Sequence, residues 1–193
     1  METPDGDIYE GIQRGDPRAV GKLFDRYERR IYRYLYARTF RQEAAEDLCS
    51  QTFLKAIEAI DRFEPRGRGF APWLYSIARN LLIDHVRKSR GKASQPGIEA
   101  IERMPGSENI EGGYERAEQA AEIRKAVSEL APEKREIVLL RTWEDMSYDD
   151  IADIVGKTAA HCRTIYHRSM KELRTLLAAT LIMLLTTRVR ITK

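Results

Sequence analysis

Apolar residues recur at the spacing of an amphipathic helix through positions 17–35. Asp16 stands before this stripe as a polar cap, and Pro17 is a residue that helices accept in their first turn. We therefore predict a helix that begins at Pro17 and buries one face. The predicted buried face consists of Val20, Leu23, Phe24, Tyr27, Ile31, Tyr34 and Leu35.

Two more helices are predicted before the pattern changes. One extends from about Glu43 to Phe63 and the other from about Pro72 to Lys88. Between them, the glycines and the proline of EPRGRG at positions 64–69 predict a loop. The first helix should bury Ala45, Leu48, Cys49, Thr52, Phe53, Ala56, Ile60 and Phe63, and the second Trp73, Leu74, Ile77, Ala78 and Leu81. No segment alternates as a half-buried strand would.

The helical period is lost from Ser89 to Gly113, which we interpret as a linker. After it, the pattern predicts an amphipathic helix over 117–130 and another that starts at Pro132. The sequence thus predicts an all-α protein with two small helical domains. They are an N-terminal helical bundle at residues 1–90 and a C-terminal helix-turn-helix domain at 115–177, joined by a flexible acidic linker at 91–114 and followed by an apolar extension at 178–193.

The helix-turn-helix prediction rests on the stretch from Ser147 to Leu177. Ser147 is a helix cap, Gly156 predicts a tight turn, and Thr158 caps the next helix. At 100° per residue, the second helix turns Cys162, Ile165, Tyr166, Ser169, Leu173 and Leu176 inward. Its outer face carries Ala160, Arg163, Thr164, His167, Arg168, Lys171 and Arg174. Such a cationic face without an acid suits a DNA major groove, although a solvated basic helix end is the alternative.

Charge is distributed unevenly along the 193 residues, although the net charge is only +3. Positions 62–92 carry eight basic residues against two acidic ones, and positions 157–174 carry five against one. Positions 93–123, between these basic segments, hold seven acids and two bases. Two basic segments separated by acidic sequence predict two contact surfaces for phosphate, with ordinary solvated helix faces as the alternative.

Candidate chemistry is sparse. Cys49 and Cys162 occupy apolar helical positions, so we expect buried free thiols and a reducing, cytoplasmic location. His161 and His167 do not have the spacing of metal ligands, and no paired carboxylate, phosphate cradle or triad stands out. We therefore expect no catalytic residue, no metal, no cofactor and no enzymatic activity. The acidic, polar N-terminus does not resemble a signal peptide, and the apolar run at 176–187 is too short for an integral membrane segment.

Three stretches resemble, in order, the bacterial sigma factors of RNA polymerase of the extracytoplasmic-function (ECF) type. They are AEDLCSQTFLKAIEAIDRF, GFAPWLYSIARNLLIDHVRK and LAPEKREIVLLRTWEDMSYDDIADIVGKT, the last followed by His167-Arg168. The resemblance covers positions of about 8–177. It implies a subunit that binds core RNA polymerase and promoter DNA, melts the −10 element and is held inactive by an anti-sigma factor. It also implies that the acidic linker passes through the polymerase cleft and the RNA exit channel.

The resemblance also assigns residues to three surfaces. The −10 element would be contacted by Arg66, Arg68, Arg79, Asn80, Arg87 and Lys88. The −35 element would be contacted by Thr158, Ala160, His161, Arg163, Thr164, His167, Arg168 and Lys171. Core polymerase would bind Asp47, Ser50, Gln51, Leu54 and Glu58, where an exposed leucine is ringed by polar groups.

Two departures from the family pattern bear on these assignments. The chain has Ser50-Gln51 where the family usually has Gln-Glu, so one acid is missing from the polymerase-binding face. Lys157 stands where an apolar residue usually follows the turn glycine, and positions 161–165 replace the usual Thr-Val-Lys-Ser-Arg. We therefore expect the second helix to dock on DNA but to read an unusual −35 sequence.

The alternative function is a stand-alone DNA-binding transcriptional regulator that uses only the C-terminal helix-turn-helix. It would leave the aromatic and basic helix at 72–88 and the exposed face around Leu54 without a purpose. For the apolar extension we expect a packing or regulatory role, because such a segment is not stable when exposed to water.

Overall fold

The computed structural model describes residues 5–64, 69–89 and 113–191, and the side chains within 5–64, 69–88 and 121–178. The N-terminal unit contains α1 (Gly6–Gln13), α2 (Pro17–Thr39), α3 (Gln42–Ala59) and α4 (Ala71–Ser89). The C-terminal unit contains α5 (Gly113–Glu129), α6 (Pro132–Thr142), α7 (Tyr148–Val155) and α8 (Ala159–Ile191). The described residues contain no strand, and the predicted all-α class is confirmed. Nearly all of the predicted linker lies outside these residues.

The core of the N-terminal unit forms where α2 and α4 pack against α3. The stripe predicted for α2 faces inward except at Phe24, whose side chain is 45% exposed although its ring contacts Phe53. Asp16 caps α2 as predicted, since its side chain accepts a hydrogen bond from the Arg18 backbone amide at 2.9 Å. Cys49 is buried against α2, as its apolar position predicted.

The predicted end of α3 was wrong. The α-helix ends at Ala59 and one 3₁₀ turn, Ile60–Arg62, carries the chain to Phe63. This tighter turn brings the Phe63 ring onto Phe70, with 4.2 Å between ring centroids, and onto Trp73 at 4.8 Å. Trp73 therefore packs against the core, as its position on the inner stripe of α4 predicted.

The C-terminal unit contains the predicted helix-turn-helix. The Ser147 hydroxyl caps α7 by accepting a hydrogen bond from the Asp150 amide at 3.1 Å, and Gly156 ends α7 in the left-handed region at φ +71°. Thr158 caps α8 by accepting from the His161 amide at 3.2 Å. The backbone of α8 stays helical to Ile191, so it includes the apolar extension. None of the helices in the described ranges combines the length and the apolar character needed to cross a membrane.

The two units pack against each other. α4 lies against α7, and α2 contacts α6. Buried residues of the C-terminal unit, among them Ile137, Leu140 and Ile151, belong to the same apolar cluster as Tyr34 and Tyr75 of the N-terminal unit. The molecule thus has one principal core that both units share, and a smaller one under α8.

Candidate nucleic-acid interface

The outer face of α8 is directed to solvent. Cys162, Ser169 and Leu173 are buried on the inner side, as the helical angle predicted. All seven residues predicted for the outer face are exposed: Ala160, Arg163, Thr164, His167, Arg168, Lys171 and Arg174. The helix therefore presents hydroxyl, imidazole and cationic groups together, which are the groups that bind base edges and phosphates.

The Tyr148 ring of α7 contacts a cation from each of its neighbouring helices. The guanidinium of Arg163 on α8 lies 5.1 Å from the centre of this ring, and that of Arg141 on α6 lies 5.3 Å from it. Lys157, which departs from the family pattern, pairs with Glu133 of α6 at 2.8 Å. Because this pair joins the turn to α6, Lys157 has a structural contact inside the unit that an apolar residue could not make.

The residues predicted for the −10 element differ in their exposure to solvent. Asn80, Arg87 and Lys88 are exposed on α4, and Arg87 forms an ion pair with Asp84 at 3.0 Å. Arg79 instead points into the boundary between the two units, where its Nε lies 3.2 Å from Oε1 of Glu136. Arg66 and Arg68 lie outside the described residues. The structure thus leaves the Asn80 side of α4 open and covers the Arg79 side.

Glu136 of α6 is a buried carboxylate at the boundary between the units, only 3% exposed. Its Oε1 accepts a 2.6 Å hydrogen bond from the Tyr34 hydroxyl, and its Oε2 lies 3.3 Å from Nη1 of Arg38. The contacts with Arg38 and Arg79 are ion pairs without well-aligned hydrogen bonds. Burial, and then the charge of Glu136, raises the pKa of Tyr34 well above its usual value, so this hydroxyl keeps its proton and donates.

A second carboxylate, that of Glu144, also joins the two units. Nε of Arg30 donates to Oε2 of Glu144 at 2.6 Å, and Arg33 lies 3.6 Å from Oε1. Neither Glu136 nor Glu144 was identified from the sequence as an interface residue. Glu136 stands beside Ile137 in a buried helical stretch, and an acid at such a position indicates a buried partner. Helical periodicity cannot identify that partner, because Tyr34 lies 102 positions away in the sequence.

Asp5 is another buried carboxylate that sequence reasoning missed. It lies just before α1, is 2% exposed and accepts hydrogen bonds from Arg26, Tyr27 and the backbone amide of Phe70, each at 2.7 Å. Burial and the bond to Asp5 raise the pKa of Tyr27 far above its usual value, and the same carboxylate raises the pKa of Arg26. Asp5 thus connects the N-terminus to the residue that precedes α4.

The predicted polymerase-binding face of α3 is exposed. Leu54 is 61% exposed, and Ile57, which was not predicted, adds a second exposed apolar side chain next to it. Around them, the Gln51 amide donates to Asp47 at 2.8 Å, and Ser50 and Glu58 are exposed.

Across the described residues, no group of three or more His, Cys, Asp and Glu side chains is arranged to hold a metal ion.

Both halves of the chain match models of one protein family. Residues 23–92 match sigma-70 region 2, and residues 120–173 match sigma-70 region 4. The RNA polymerase sigma-H factor of Pseudomonas aeruginosa is 31% identical over 80% of this chain and 83% of its own length. The ECF RNA polymerase sigma factor BldN of Streptomyces coelicolor is 34% identical over 89% of this chain.

Coverage of some relatives is partial. The chain covers 65% of BldN and 61% of the ECF RNA polymerase sigma factor SigE of Mycolicibacterium smegmatis, which is 31% identical over 81% of this chain. The chain thus spans less than two thirds of the length of each of these two relatives.

Two solved structures share the fold. Sigma factor RpoE, in complex with the anti-sigma factor NepR from Bartonella quintana, has a TM-score of 0.64 and 22% identity, covering 83% of this chain and 98% of that one. CnrH, in complex with the cytosolic domain of CnrY, has a TM-score of 0.62 and 23% identity, covering 91% of this chain and 97% of that one. At these identities the likeness supports the fold.

Proposed function

Because this chain belongs to the sigma-70 family of RNA polymerase sigma factors, ECF type, we propose that it binds core RNA polymerase and directs promoter recognition, −10 melting and transcription initiation. The observation that carries the proposal is the presence, in one chain, of a region 2 helix with an exposed polar and basic face and a region 4 helix-turn-helix with an exposed cationic face. Such a subunit selects promoters and has no catalytic residue of its own. Since it acts on the polymerase, its place of action is the cytoplasm.

The −35 element is bound by α8 in the major groove. Arg168 and Lys171 grip phosphates, while Thr164 and His167 lie on the same exposed face within reach of base edges. Arg163 is held against Tyr148, so it approaches the DNA from a fixed position near the start of the helix. Thr158, Ala160 and His161 complete the surface at the end of α8 that enters the groove.

The −10 element is opened on α4 and the preceding loop. Asn80 reads an unstacked base, while Arg87 and Lys88 hold the backbone of the separated strand. Arg66 and Arg68 supply further cations from the loop. Arg79 joins this surface only when it leaves Glu136, so full engagement of the −10 strand requires the two units to separate at that point.

Core polymerase binds the exposed face of α3. Leu54 and Ile57 provide an apolar centre, and Asp47, Ser50, Gln51 and Glu58 form its polar rim. The acidic linker at 91–114 follows the nucleic-acid channel of the polymerase and is displaced by nascent RNA. An anti-sigma factor covers the DNA-binding faces until a signal releases them; the similar complex of RpoE with the anti-sigma factor NepR supports this.

Transcription in vitro with core polymerase on a genomic library tests this function. We expect initiation that depends on the added chain and start sites that share −10 and −35 motifs. A stand-alone regulator would bind its site without core polymerase and would not be retained by immobilised core. Retention on core without initiation, or site binding that does not need core, would contradict the proposal.

A further inference from the structure

Asp5 uses its backbone and its side chain to begin two different helices. Its carbonyl oxygen accepts from the amides of Ile8 and Tyr9, at 3.1 and 2.9 Å, and so opens α1. Its carboxylate accepts from the amide of Phe70, whose own carbonyl accepts from Leu74 in the first turn of α4. The charge of Asp5 therefore lies at the positive end of α4 and satisfies an amide there, as a capping side chain does, although it comes from a distant part of the chain.

Both carboxylate oxygens of Asp5 are occupied. Oδ1 faces Nη1 of Arg26, while Oδ2 accepts from the Tyr27 hydroxyl and the Phe70 amide. A buried carboxylate is stable only when paired and hydrogen-bonded, and its three donors fix its orientation. The carboxylate is thus a rigid point that joins α2 to the residue before α4.

Gly69 is shaped to accept this contact. Its backbone lies at φ +68°, and a Cβ atom added there would stand 2.5 Å from Oδ2 of Asp5. Only glycine fits both the left-handed conformation and the close approach of the carboxylate. The path of the backbone at Gly69 and Phe70, directly before α4, is therefore determined by Asp5 and Gly69 together.

Phe70 is also held by an aromatic contact. The Phe63 ring stacks on the ring of Phe70. Phe70 is fully buried, so its ring is fixed by the core while its amide is fixed by Asp5. Phe70 therefore joins the residue after the 3₁₀ turn, Phe63, to the start of α4.

We propose that Asp5 is a positioning residue for −10 recognition, which fixes the Gly69–Phe70 backbone at the start of α4 and thereby places Asn80 against the separated strand. The inference rests on the proposed function of the chain. Asp5 itself does not contact the DNA. Its effect passes through the Gly69–Phe70 backbone to the residues that do.

The test compares Asp5→Asn with Asp7→Asn. Asparagine has nearly the size of aspartate, but its amide nitrogen is a donor. It would replace one of the two accepting oxygens of Asp5 and face another donor. Asp7 is an exposed neighbour whose Oδ1 lies 3.7 Å from Arg26, so it is a matched control. The measurement is the ratio of initiation rates, with saturating sigma and core, on a cognate promoter and on the same promoter with altered −10 bases. We expect Asp5→Asn to lower this ratio by about tenfold and Asp7→Asn to leave it unchanged.

The ratio separates positioning from stability. A variant that is only less stable loses activity on both promoters equally, because the active fraction cancels. Gly69→Ala should lower the ratio like Asp5→Asn. The double variant Asp5→Ala/Gly69→Ala should lose less than the sum of its single variants, because removing the carboxylate removes the clash.

An unchanged ratio in Asp5→Asn would overturn the inference. If Asp5→Asn does not fold, Tyr27→Phe removes one donor and keeps the carboxylate; we expect its ratio to fall by about twofold, and an unchanged ratio there would equally overturn the inference. Failure of the wild-type chain to start transcription with core polymerase would instead refute the proposed function.

Discussion

Helices α4 and α8 are the two candidate nucleic-acid helices, and they differ in what lies against their polar faces. The seven residues predicted for the outer face of α8, between positions 160 and 174, are exposed, although Arg163 also contacts the Tyr148 ring. α4 has one open side at Asn80 and one side packed on the C-terminal unit, where Arg79 meets Glu136. In this arrangement the surface proposed for the −35 element is exposed, whereas part of the surface proposed for the −10 element is engaged within the molecule. The two proposed DNA contacts therefore need not form in one step.

The largest expected effect is on the boundary between the units. Glu136→Ala leaves the Tyr34 hydroxyl and the guanidinium groups of Arg38 and Arg79 without their carboxylate. Breaking a buried ionic cluster by removing one member typically costs about 3–5 kcal/mol. Urea denaturation should show this loss in the free energy of unfolding, and the exposed Glu129→Ala should change it by less than about 0.5 kcal/mol. Equal stability of the two variants would mean that Glu136 does not hold the units together.

The next effect concerns the open face of α8. Arg168→Ala should weaken binding to a −35 duplex by about 1–3 kcal/mol and reduce the salt dependence of binding by about one phosphate contact. Fluorescence anisotropy over a range of salt concentrations measures both quantities. Arg14→Ala removes an exposed arginine that directly follows α1 and should change neither. A weaker Arg168→Ala complex with an unchanged salt slope would argue against a phosphate contact.

Asn80→Ala tests the role that we propose for α4. It should slow open-complex formation by about tenfold, because a flipped base loses a polar partner, while initial duplex binding stays the same. Permanganate reactivity of unpaired thymines reports opening, and anisotropy reports binding. Asn80→Ala and Arg168→Ala should therefore affect different steps. If both variants changed both assays alike, this division of labour between α4 and α8 would be wrong.

The smallest expected effect is that of Lys157→Ala. Its ion pair with Glu133 is partly exposed, so its loss should lower the free energy of unfolding by less than about 1 kcal/mol. Binding to the −35 duplex should be unchanged, because Lys157 acts within the unit. A large loss of DNA affinity, without a change in thermal unfolding, would contradict this prediction and would indicate that Lys157 belongs to the DNA-binding surface.

The helices that contain a long apolar stripe were predictable from sequence. Tyr27, Ile31 and Leu35 repeat at helical spacing, and the packing of α2 follows that repeat. α1 was missed because it is only eight residues long, so Ile8 and Ile12 supply too few repeats to establish a period. The end of α3 was misplaced because the change to a 3₁₀ turn depends on the stacking of Phe63 with residues that come after the loop.

The candidate surfaces were predictable to a different extent. On α8 a single helix carries the whole face, so the angle between residues was enough to place Arg168 outside and Cys162 inside. On α4 the same reasoning could not place Arg79, since its position depends on Glu136 in the other unit. Asp5 and Phe70 are likewise far apart in the chain, and local patterns carry no information on such a pairing. Contacts between distant segments are set by tertiary packing.

α8 continues without a break for 33 residues, to Ile191. At 1.5 Å per residue it is about 50 Å long, and the residues assigned to the −35 element occupy only its first third or so. A continuous helix transmits a displacement along its length. A partner bound at the C-terminal end of α8 would therefore act at a distance on the residues proposed to contact the −35 element.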